Sequence, residues 1–159
     1  MPKDHLAQSS PLPEHARLAA LAGEWNGEEM VYPSRWNAGG PATSRTVARM
    51  DLNGFYLIQD GVQMRNGKEI FTTHGIFTYD RDDRTYKLFW YDSLGYTPPS
   101  PASGGWVGNT LTLVRGSLRG NARHLYEIID DDSYSMKIQF SPDAEGWADV
   151  LTGIYRRIH

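Results

Sequence analysis

Two aspartates and one histidine are predicted at inward positions of a β-structure, where each could take part in chemistry. Asp60, Thr73 and Asp92 form one row when three neighbouring strands are paired across two tight turns. Inward carboxylates are costly to bury unless they are paired, and two of them could hold a water for hydrolysis. The alternative is that the row lies at a barrel rim, in water. His124 is predicted on an inner face, as a ligand, an acid–base group or an ordinary buried imidazole.

The row depends on two turns that set the strand register. Asn66-Gly67 favours a two-residue type I′ turn, because both positions take positive φ, and it predicts that Asp60 pairs with Thr73. The turn at Asp82-Asp83, or a four-residue loop around it, pairs Thr73 with Asp92. Because side chains alternate along a strand, the two turns define one inward face. That face carries Tyr56, Ile58, Val62, Phe71, Phe77, Tyr79, Tyr86, Leu88 and Trp90.

A later turn at Asp130–Asp132 is predicted to be a three-residue loop. A two-residue loop would turn Arg123 and Glu127 inward, which is unfavourable for charged groups. The three-residue loop instead places inward His124, Tyr126 and Ile128 beside Tyr134, Met136 and Ile138. The predicted ligand-binding residues are Tyr56, Asp60, Phe77, Tyr86, Trp90, Asp92, His124, Tyr126 and Met136.

The elements that must position these residues are nearly all strands. A short helix is predicted over Pro13–Ala22, with Pro at its first position and Gly23 after its end. Gly, Pro, Asn and Asp clusters then separate strand candidates at nearly regular spacing. The candidates are Glu24–Tyr32, Ser44–Leu52, Phe55–Arg65, Lys68–Asp80, Arg84–Leu94, Gly105–Val107, Thr110–Ser117, Asn121–Ile129, Tyr134–Ser141 and Trp147–Ile158. The pattern predicts an all-β fold, a single antiparallel up-and-down barrel of roughly eight to ten strands.

Composition narrows the classes of function. The chain has 159 residues, and the absence of Cys excludes disulfides and thiolate chemistry. The net charge of −3 gives no basic surface for nucleic acid. Residues 1–11 are predicted to be a loose tail and residues 12–159 one barrel domain. No secretory signal and no membrane-spanning run is recognisable, so we expect a cytoplasmic protein.

Sequence motifs for metal, phosphate or nucleophile chemistry are missing from the chain, and none of the five histidines has a partner at chelating spacing. No metal site and no catalytic residue are therefore predicted. Two arginine patterns remain open to two interpretations. Arg45 and Arg49 share one strand face, and Arg115 and Ser117 share another. Either face could simply be solvated, or it could hold an anionic head group.

The two ends of the chain carry a recognisable pair of motifs. Gly23-Glu24-Trp25 follows the short helix, and the last strand contains Tyr155-Arg156-Arg157. This resembles the calycin superfamily of lipocalins and fatty-acid-binding proteins. The resemblance implies that Gly23 and Trp25 close the barrel floor and that Arg156 or Arg157 packs across the indole, which a cation–π contact would favour.

Nearly the whole chain from about Leu18 onward is also similar to a bacterial family of uncharacterised calycin-like proteins. The matching segments are LAGEWNG, LNGFYLIQD, HGIFTYD, FWYDSLG and the closing IYRR. The haem-binding nitrobindins share the barrel type and bind haem through a histidine, for which His124 or His74 is the candidate here.

Four hypotheses follow for the function. The first is binding of a small hydrophobic or amphipathic molecule inside the barrel. The second is a haem protein, with haem as the cofactor, and the third is a hydrolase using Asp60 and Asp92. The fourth is a filled barrel that forms a homodimer through apolar residues on its outer face.

Overall fold

The computed structural model describes residues 9–35 and 37–159 and contains ten antiparallel strands that close into one barrel. This confirms the predicted all-β up-and-down fold. Each strand pairs with its neighbours in the chain, and the first strand closes on the last. The strands are β1 (Gly23–Val31), β2 (Gly40–Asp51), β3 (Tyr56–Arg65), β4 (Lys68–Asp80), β5 (Thr85–Asp92), β6 (Ala102–Val107), β7 (Thr110–Ser117), β8 (Gly120–Asp130), β9 (Ser133–Ser141) and β10 (Ala148–Arg157).

The helical segment before β1 is shorter than predicted as an α-helix. It consists of α1, Pro13–Arg17, followed by a 3₁₀ turn over Leu18–Leu21, and a second 3₁₀ turn covers Leu52–Gly54. The Nδ1 atom of His15 accepts a 2.9 Å hydrogen bond from the Leu12 amide, which satisfies one donor at the helix start. No helix in residues 9–35 and 37–159 has the length and apolarity needed to cross a bilayer.

The N-terminal tail was predicted to cover residues 1–11, and residues 1–8 of that range lie outside the described residues. Residues 9–12 have no regular secondary structure. Contacts begin within this segment, because the carbonyl of Ser10 accepts a 3.3 Å hydrogen bond from Arg81. The domain limits themselves stay a prediction.

Two of the three predicted hairpin registers are confirmed. Across β4 and β5, Thr73 lies opposite Asp92 and Gly75 opposite Trp90, as the count from the Arg81–Arg84 loop required. Across β8 and β9, the observed partners are His124–Ile138, Tyr126–Met136 and Ile128–Tyr134. The penalty for burying charge therefore selected the correct register, although Asp130 pairs with Ser133 across a two-residue turn and the extra residue is taken up by an irregularity at Ile129.

The register predicted between β3 and β4 is wrong by one residue. Arg65 pairs with Lys68 and Met64 with Glu69 as expected, but the next pair is Gln63–Phe71. Ile70 has no partner in β3 and forms a bulge, which exchanges the two faces of β3.

The bulge reverses the orientation predicted for every residue of β3. Leu57, Gln59 and Gln63 are buried on the inner face, whereas Tyr56, Ile58, Asp60 and Val62 are on the outer face. Asp60 lies opposite His74 rather than Thr73, and its Oδ1 atom is 2.6 Å from His74 Nδ1. The inward row of Asp60, Thr73 and Asp92 does not exist, because Asp60 and Asp92 lie on opposite faces of the sheet.

One end of the barrel, here called the floor, is closed by α1, the following 3₁₀ turn and a layer of aromatic rings. Trp25 is only 1% exposed, donates a 3.1 Å hydrogen bond to the Leu21 carbonyl and packs edge-on against Tyr134. Arg157 lies 4.3 Å over the indole ring and donates a 2.8 Å hydrogen bond to the Ala22 carbonyl. The floor is thus tied to the N-terminal helix through both partners.

The resemblance implied that either Arg156 or Arg157 packs against Trp25, and in the structure this residue is Arg157. Arg156 points to the outer face near Glu28 and is largely exposed. Gly23 has a φ of +134°, and a Cβ at this position would collide with the Arg157 guanidinium. Gly23 therefore makes room for the arginine that covers the indole.

The outer face carries several apolar side chains among its charged ones. Ile70, Tyr91 and Val107 are exposed there in the described chain. The homodimer suggested by such residues stays a prediction.

Candidate functional site

The end of the barrel opposite the floor, here called the mouth, contains a cavity of about 190 Å³. The loops after β1, β5 and β7 contribute residues to its lining. Its walls are mainly apolar, with a few polar groups among them. The lining includes Val31, Phe71, Trp90, Ala122, Ile138, Phe140 and Leu151, together with Asp92, Arg115, Ser117 and His124.

Strand alternation explains why these polar groups point inward. In β5 the buried positions are Tyr86, Leu88 and Trp90, so Asp92 follows on the same face as the strand leaves the barrel. In β7 the buried Leu111 and Leu113 put Arg115 and Ser117 on the inner face. The sequence allowed a solvated face or an anion-binding face for this pair, and the structure places both residues in the cavity wall.

Asp92 is held in place by its own hairpin. Its Oδ2 atom accepts a 2.9 Å hydrogen bond from Trp90 Nε1, and its Oδ1 atom accepts another of 2.9 Å from the Leu94 amide. Both carboxylate oxygens are thus engaged. Asp92 orients the indole that forms part of the cavity wall.

His124 is a neutral imidazole in the cavity wall. It is 2% exposed, and its ring centroid lies 4.9 Å from that of Trp90. Burial, helped by the charge of Arg115, lowers the pKa of His124 to about 3. Within residues 9–35 and 37–159, its buried Nδ1 atom has no hydrogen-bond partner. A buried polar atom without a partner is unusual and marks a position where a ligand atom could bind.

Arg115 is a cation of the cavity wall, together with Arg119. Burial lowers the pKa of its guanidinium and the negative charge of Asp92 opposes this, yet an arginine stays protonated in proteins. Its buried Nε atom finds no hydrogen-bond partner in the described part of the chain. By contrast, Arg45 is on the outer face and paired with Glu24 at 2.6 Å, and Arg49 lies there beside Asp51 at 3.3 Å.

A smaller cavity of about 40 Å³ lies deeper in the barrel and shares Gln63, Phe71, Trp90 and Leu151 with the first. Its lining includes the acidic residue Glu29. Gln63 Nε2 donates a 2.9 Å hydrogen bond to the buried carboxylate of Glu29, and the Tyr155 hydroxyl donates to the same carboxylate. The pKa of Tyr155 is raised, first by burial and then by the charge of Glu29.

Glu29 and Gln63 were not among the predicted site residues. Glu29 could have been found, because Trp25 at an inner position of β1 puts Gly27, Glu29 and Val31 on the same face. Gln63 was assigned to the outer face because the bulge at Ile70 was not foreseen. Glu29 was thus missed because the alternation along β1 was not followed, and Gln63 was missed because the sequence gives no visible signal for the bulge.

The predicted ligand-binding residues fall into three groups in the structure. Trp90, Asp92 and His124 line the mouth cavity, and Met136 lines the deeper one with Trp90. Tyr56 and Asp60 lie on the outer face, contrary to their predicted orientation. Phe77, Tyr86 and Tyr126 pack as core below the cavities and line neither of them.

The third group fills the barrel and does not enclose space. The rings of Phe77 and Tyr126 meet edge-on at 5.3 Å, and the Tyr86 hydroxyl donates a 2.8 Å hydrogen bond to the Glu14 carbonyl. Tyr126 is fully buried, its pKa is raised by that burial, and its hydroxyl has no partner among the described residues. The aromatic interior was predicted to be one pocket. In the structure its lower part is packed core, and the cavities lie above it.

The closed ten-stranded antiparallel barrel, with its helical floor and its cavity at the mouth, is consistent with the calycin-like fold that the sequence resemblance implied. The chain belongs to a family described as protein of unknown function DUF1579, whose sequence model matches residues 10–157. A comparison with curated proteins found no match.

Two solved structures share this barrel over almost their whole length. Rv2717c from M. tuberculosis is 16% identical with a TM-score of 0.71, covering 93% of this chain and 99% of that chain. The S-type phycobiliprotein lyase CPES from Guillardia theta is 11% identical with a TM-score of 0.64, covering 94% and 99%. At such identities the similarity extends to the fold alone.

Proposed function

We propose that this protein binds one small apolar or amphipathic molecule in the mouth cavity. The observation that carries the proposal is an apolar cavity whose wall contains a buried, neutral imidazole with an unpartnered Nδ1 atom. Apolar walls supply the binding free energy, and a few polar atoms orient the ligand. The fold similarity to a protein named as a phycobiliprotein lyase supports a ligand-handling role.

The size of the cavity limits the ligand. Pockets for drug-sized ligands have volumes of about 300–1,000 Å³. The mouth cavity, at about 190 Å³, is smaller, and the deeper cavity adds only about 40 Å³. The ligand is therefore a compact molecule, or one whose end projects through the open mouth.

Haem does not fit this site. Iron coordination by a neutral imidazole would suit His124. Its ring, however, is packed 4.9 Å from Trp90 and 6.4 Å from Tyr126, and the remaining space is too small for a porphyrin. His74, the other candidate, is on the outer face and bound to Asp60.

Tryptophan fluorescence tests the proposal, because Trp90 forms part of the cavity wall. Titration with N-phenyl-1-naphthylamine, a neutral apolar fluorophore, is expected to quench the protein emission and to raise the probe emission. The variant Trp90→Phe should lose most of the energy transfer to the probe. The variant Trp147→Phe is the control, since Trp147 stacks on Arg123 on the outer face.

Two results would contradict the proposal. One is an absence of probe binding by the folded wild-type protein. The other is equal loss of quenching in the two tryptophan variants, which would place the probe outside the cavity. Native mass spectrometry of freshly purified protein would then identify any molecule that remains bound.

A further inference from the structure

The outer surface of β2, β3, β4 and β5, here called the four-strand face, has its side chains in ordered rows. One row contains Arg49, Ile58, Ile76 and Phe89, each opposite the next across a strand pair. The row beside it contains Val47, Asp60, His74 and Tyr91. All of these side chains are exposed or half-buried, so another molecule can contact both rows.

The first row is apolar across three neighbouring strands. Its members Ile58, Ile76 and Phe89 lie side by side. By contrast, the exposed Ile154 on β10 has polar partners in both neighbouring strands. A continuous apolar patch on a protein surface marks an interaction site, whereas a single apolar residue does not.

The order of residues within the rows makes the face complementary to itself. In a two-fold dimer, the same surface of each copy forms the interface. An axis that runs parallel to the strands, between β3 and β4, places each row over the same row of the second copy in reverse order. Ile58 then packs on Ile76 of the second copy. Arg49 lies over the Phe89 ring of the second copy, where a cation–π contact favours it.

Charge selects this position of the axis. Asp60 and His74 are at the centre of the second row, with Asp60 Oδ1 2.6 Å from His74 Nδ1. An axis along β2 would bring the two copies of Arg49 together, and an axis along β3 would bring the two copies of Asp60 together. Like charges that meet in an interface are unfavourable. With the axis between β3 and β4, each Asp60 carboxylate instead faces an imidazole of the second copy.

Side-chain size suits the contact of two convex barrels. The barrels approach most closely along the axis, where the branched Ile58 and Ile76 lie. They diverge towards β2 and β5, where the longer Arg49, Phe89 and Tyr91 bridge the wider gap. The face is about 19 Å wide and about 24 Å long, from four strands about 4.8 Å apart and about seven residues along each. Interfaces of this size are at the low end of specific contacts, so we expect a weak dimer with a micromolar dissociation constant.

We propose that a second copy of this chain binds the four-strand face and forms a two-fold dimer whose axis runs between β3 and β4. Dimerisation leaves the mouth cavity accessible, because the cavity is lined by inner faces of the strands and by loops at one end of the barrel. The dimer is therefore independent of the proposed function, and either can fail without the other.

Sedimentation velocity of the full chain over about 1–200 μM measures the association. The mass is expected to rise with concentration from the 17.9 kDa of one chain towards twice that value. Ile76→Glu should raise the dissociation constant about a hundredfold or more, because it puts two unpaired carboxylates into the interface. Ile154→Glu makes the same change on β10 and should leave the constant within about threefold of wild type. Circular dichroism checks that both variants are folded.

A charge exchange tests the position of the axis. His74→Asp places four carboxylates around the axis and should raise the dissociation constant about tenfold or more. Combining it with Asp60→His restores one carboxylate and one imidazole in each copy and should return the constant to within about threefold of wild type. A dissociation constant unchanged by His74→Asp would overturn the proposed axis.

Crosslinking gives a readout that does not depend on weakening the dimer. Because the chain contains no Cys, a single introduced thiol reports only on its own position. Ile58→Cys treated with a short bis-maleimide should give a covalent dimer, whereas Ile154→Cys should stay monomeric under the same conditions. A wild type that is monomeric at the highest concentration would overturn the inference. Equal crosslinking of the two Cys variants, or equal weakening by the two Glu variants, would overturn it as well.

Discussion

The floor and the mouth of this barrel are built from the same ten strands, yet the polar atoms of their inner surfaces differ in whether they have hydrogen-bond partners. At the floor, the polar atoms of Trp25, Tyr86 and Arg157 all reach backbone carbonyls of the N-terminal helical segment or its flanks. At the mouth, the Nε atom of Arg115 and the Nδ1 atom of His124 have no partner within the described chain. These floor side chains are paired within the protein, whereas these two atoms at the mouth are unpartnered, as are Trp106 Nε1 and the Tyr126 hydroxyl elsewhere in the interior.

The side chains also differ in size. Trp25, Tyr134 and Tyr155 interlock at the floor with ring centroids 4.8 Å apart. Gly120, Ala122 and Ser117 face the cavity at the mouth. The comparison teaches that strand alternation decides which residues point inward, whereas their sizes decide whether the interior is core or cavity.

The largest effect is expected at the floor. Trp25→Ala removes a side chain that is 1% exposed, together with its hydrogen bond to Leu21 and its contact with Arg157. We expect the free energy of unfolding to fall by about 3–5 kcal/mol. Urea denaturation measures it, with Trp147→Ala as the control at the outer face. A loss below about 1 kcal/mol for Trp25→Ala would show that the floor is not tightly packed.

The same enlargement placed at either end tests the contrast directly. Ala48→Leu inserts atoms into the packed interior near the floor and should lower the free energy of unfolding by about 1–3 kcal/mol. Ala122→Leu fills the mouth cavity and should leave stability unchanged or raise it by up to about 1 kcal/mol, while abolishing probe binding. Denaturation and fluorescence titration of both variants check this. Equal destabilisation by the two would contradict an open mouth.

The next effect concerns pH. Because the pKa of His124 is about 3 when folded and 6.5 when exposed, the unfolded chain binds the proton first as pH falls. The stability contributed by neutral His124 is complete above pH 6.5 and is lost progressively towards pH 3. The loss is about 1.4 kcal/mol per pH unit, or about 2 kcal/mol between pH 6.5 and pH 5. Burial also lowers the pKa of His15, which acts in the same direction.

Denaturation of His124→Leu at pH 7 and pH 5 isolates this contribution. The variant should lose about 2 kcal/mol less than wild type over that interval. Trp147→Phe is the control, since it changes no ionisable group and lies on the outer face beside Arg123. Identical pH profiles for wild type and His124→Leu would mean that His124 is protonated in the folded protein.

Much of the fold was predictable because its determinants are local. The Arg81–Arg84 loop and the Asp130–Asp132 turn each set a register that the structure confirms. The more apolar of the two alternating sets of side chains was then assigned to the inner face, which identified Trp90 and His124 as inward residues. These inferences needed only alternation, turn chemistry and the unfavourable burial of charge.

Other features of the fold and of the site could not be predicted, because no local sequence pattern indicates them. The bulge at Ile70 has no sequence mark, because an isoleucine is as suitable in a regular strand as in a bulge. The division of the interior into core and cavity depends on how rings from distant strands meet, as Phe77 and Tyr126 do. That the Nε atom of Arg115 is unpartnered depends on contacts between distant strands, which the sequence does not show.

The bulge at Ile70 has a consequence for how this barrel can change. With that residue unpaired, Gln63 faces Glu29 in the interior and Asp60 meets His74 outside. Because Met64 pairs with Glu69 and Gln63 with Phe71, deleting Ile70 alone would leave the pairs on both sides of the bulge in register and keep Asp60 outside, opposite His74. The bulge therefore takes up one residue of chain length, and its removal would leave the inner and outer faces of β3 unchanged.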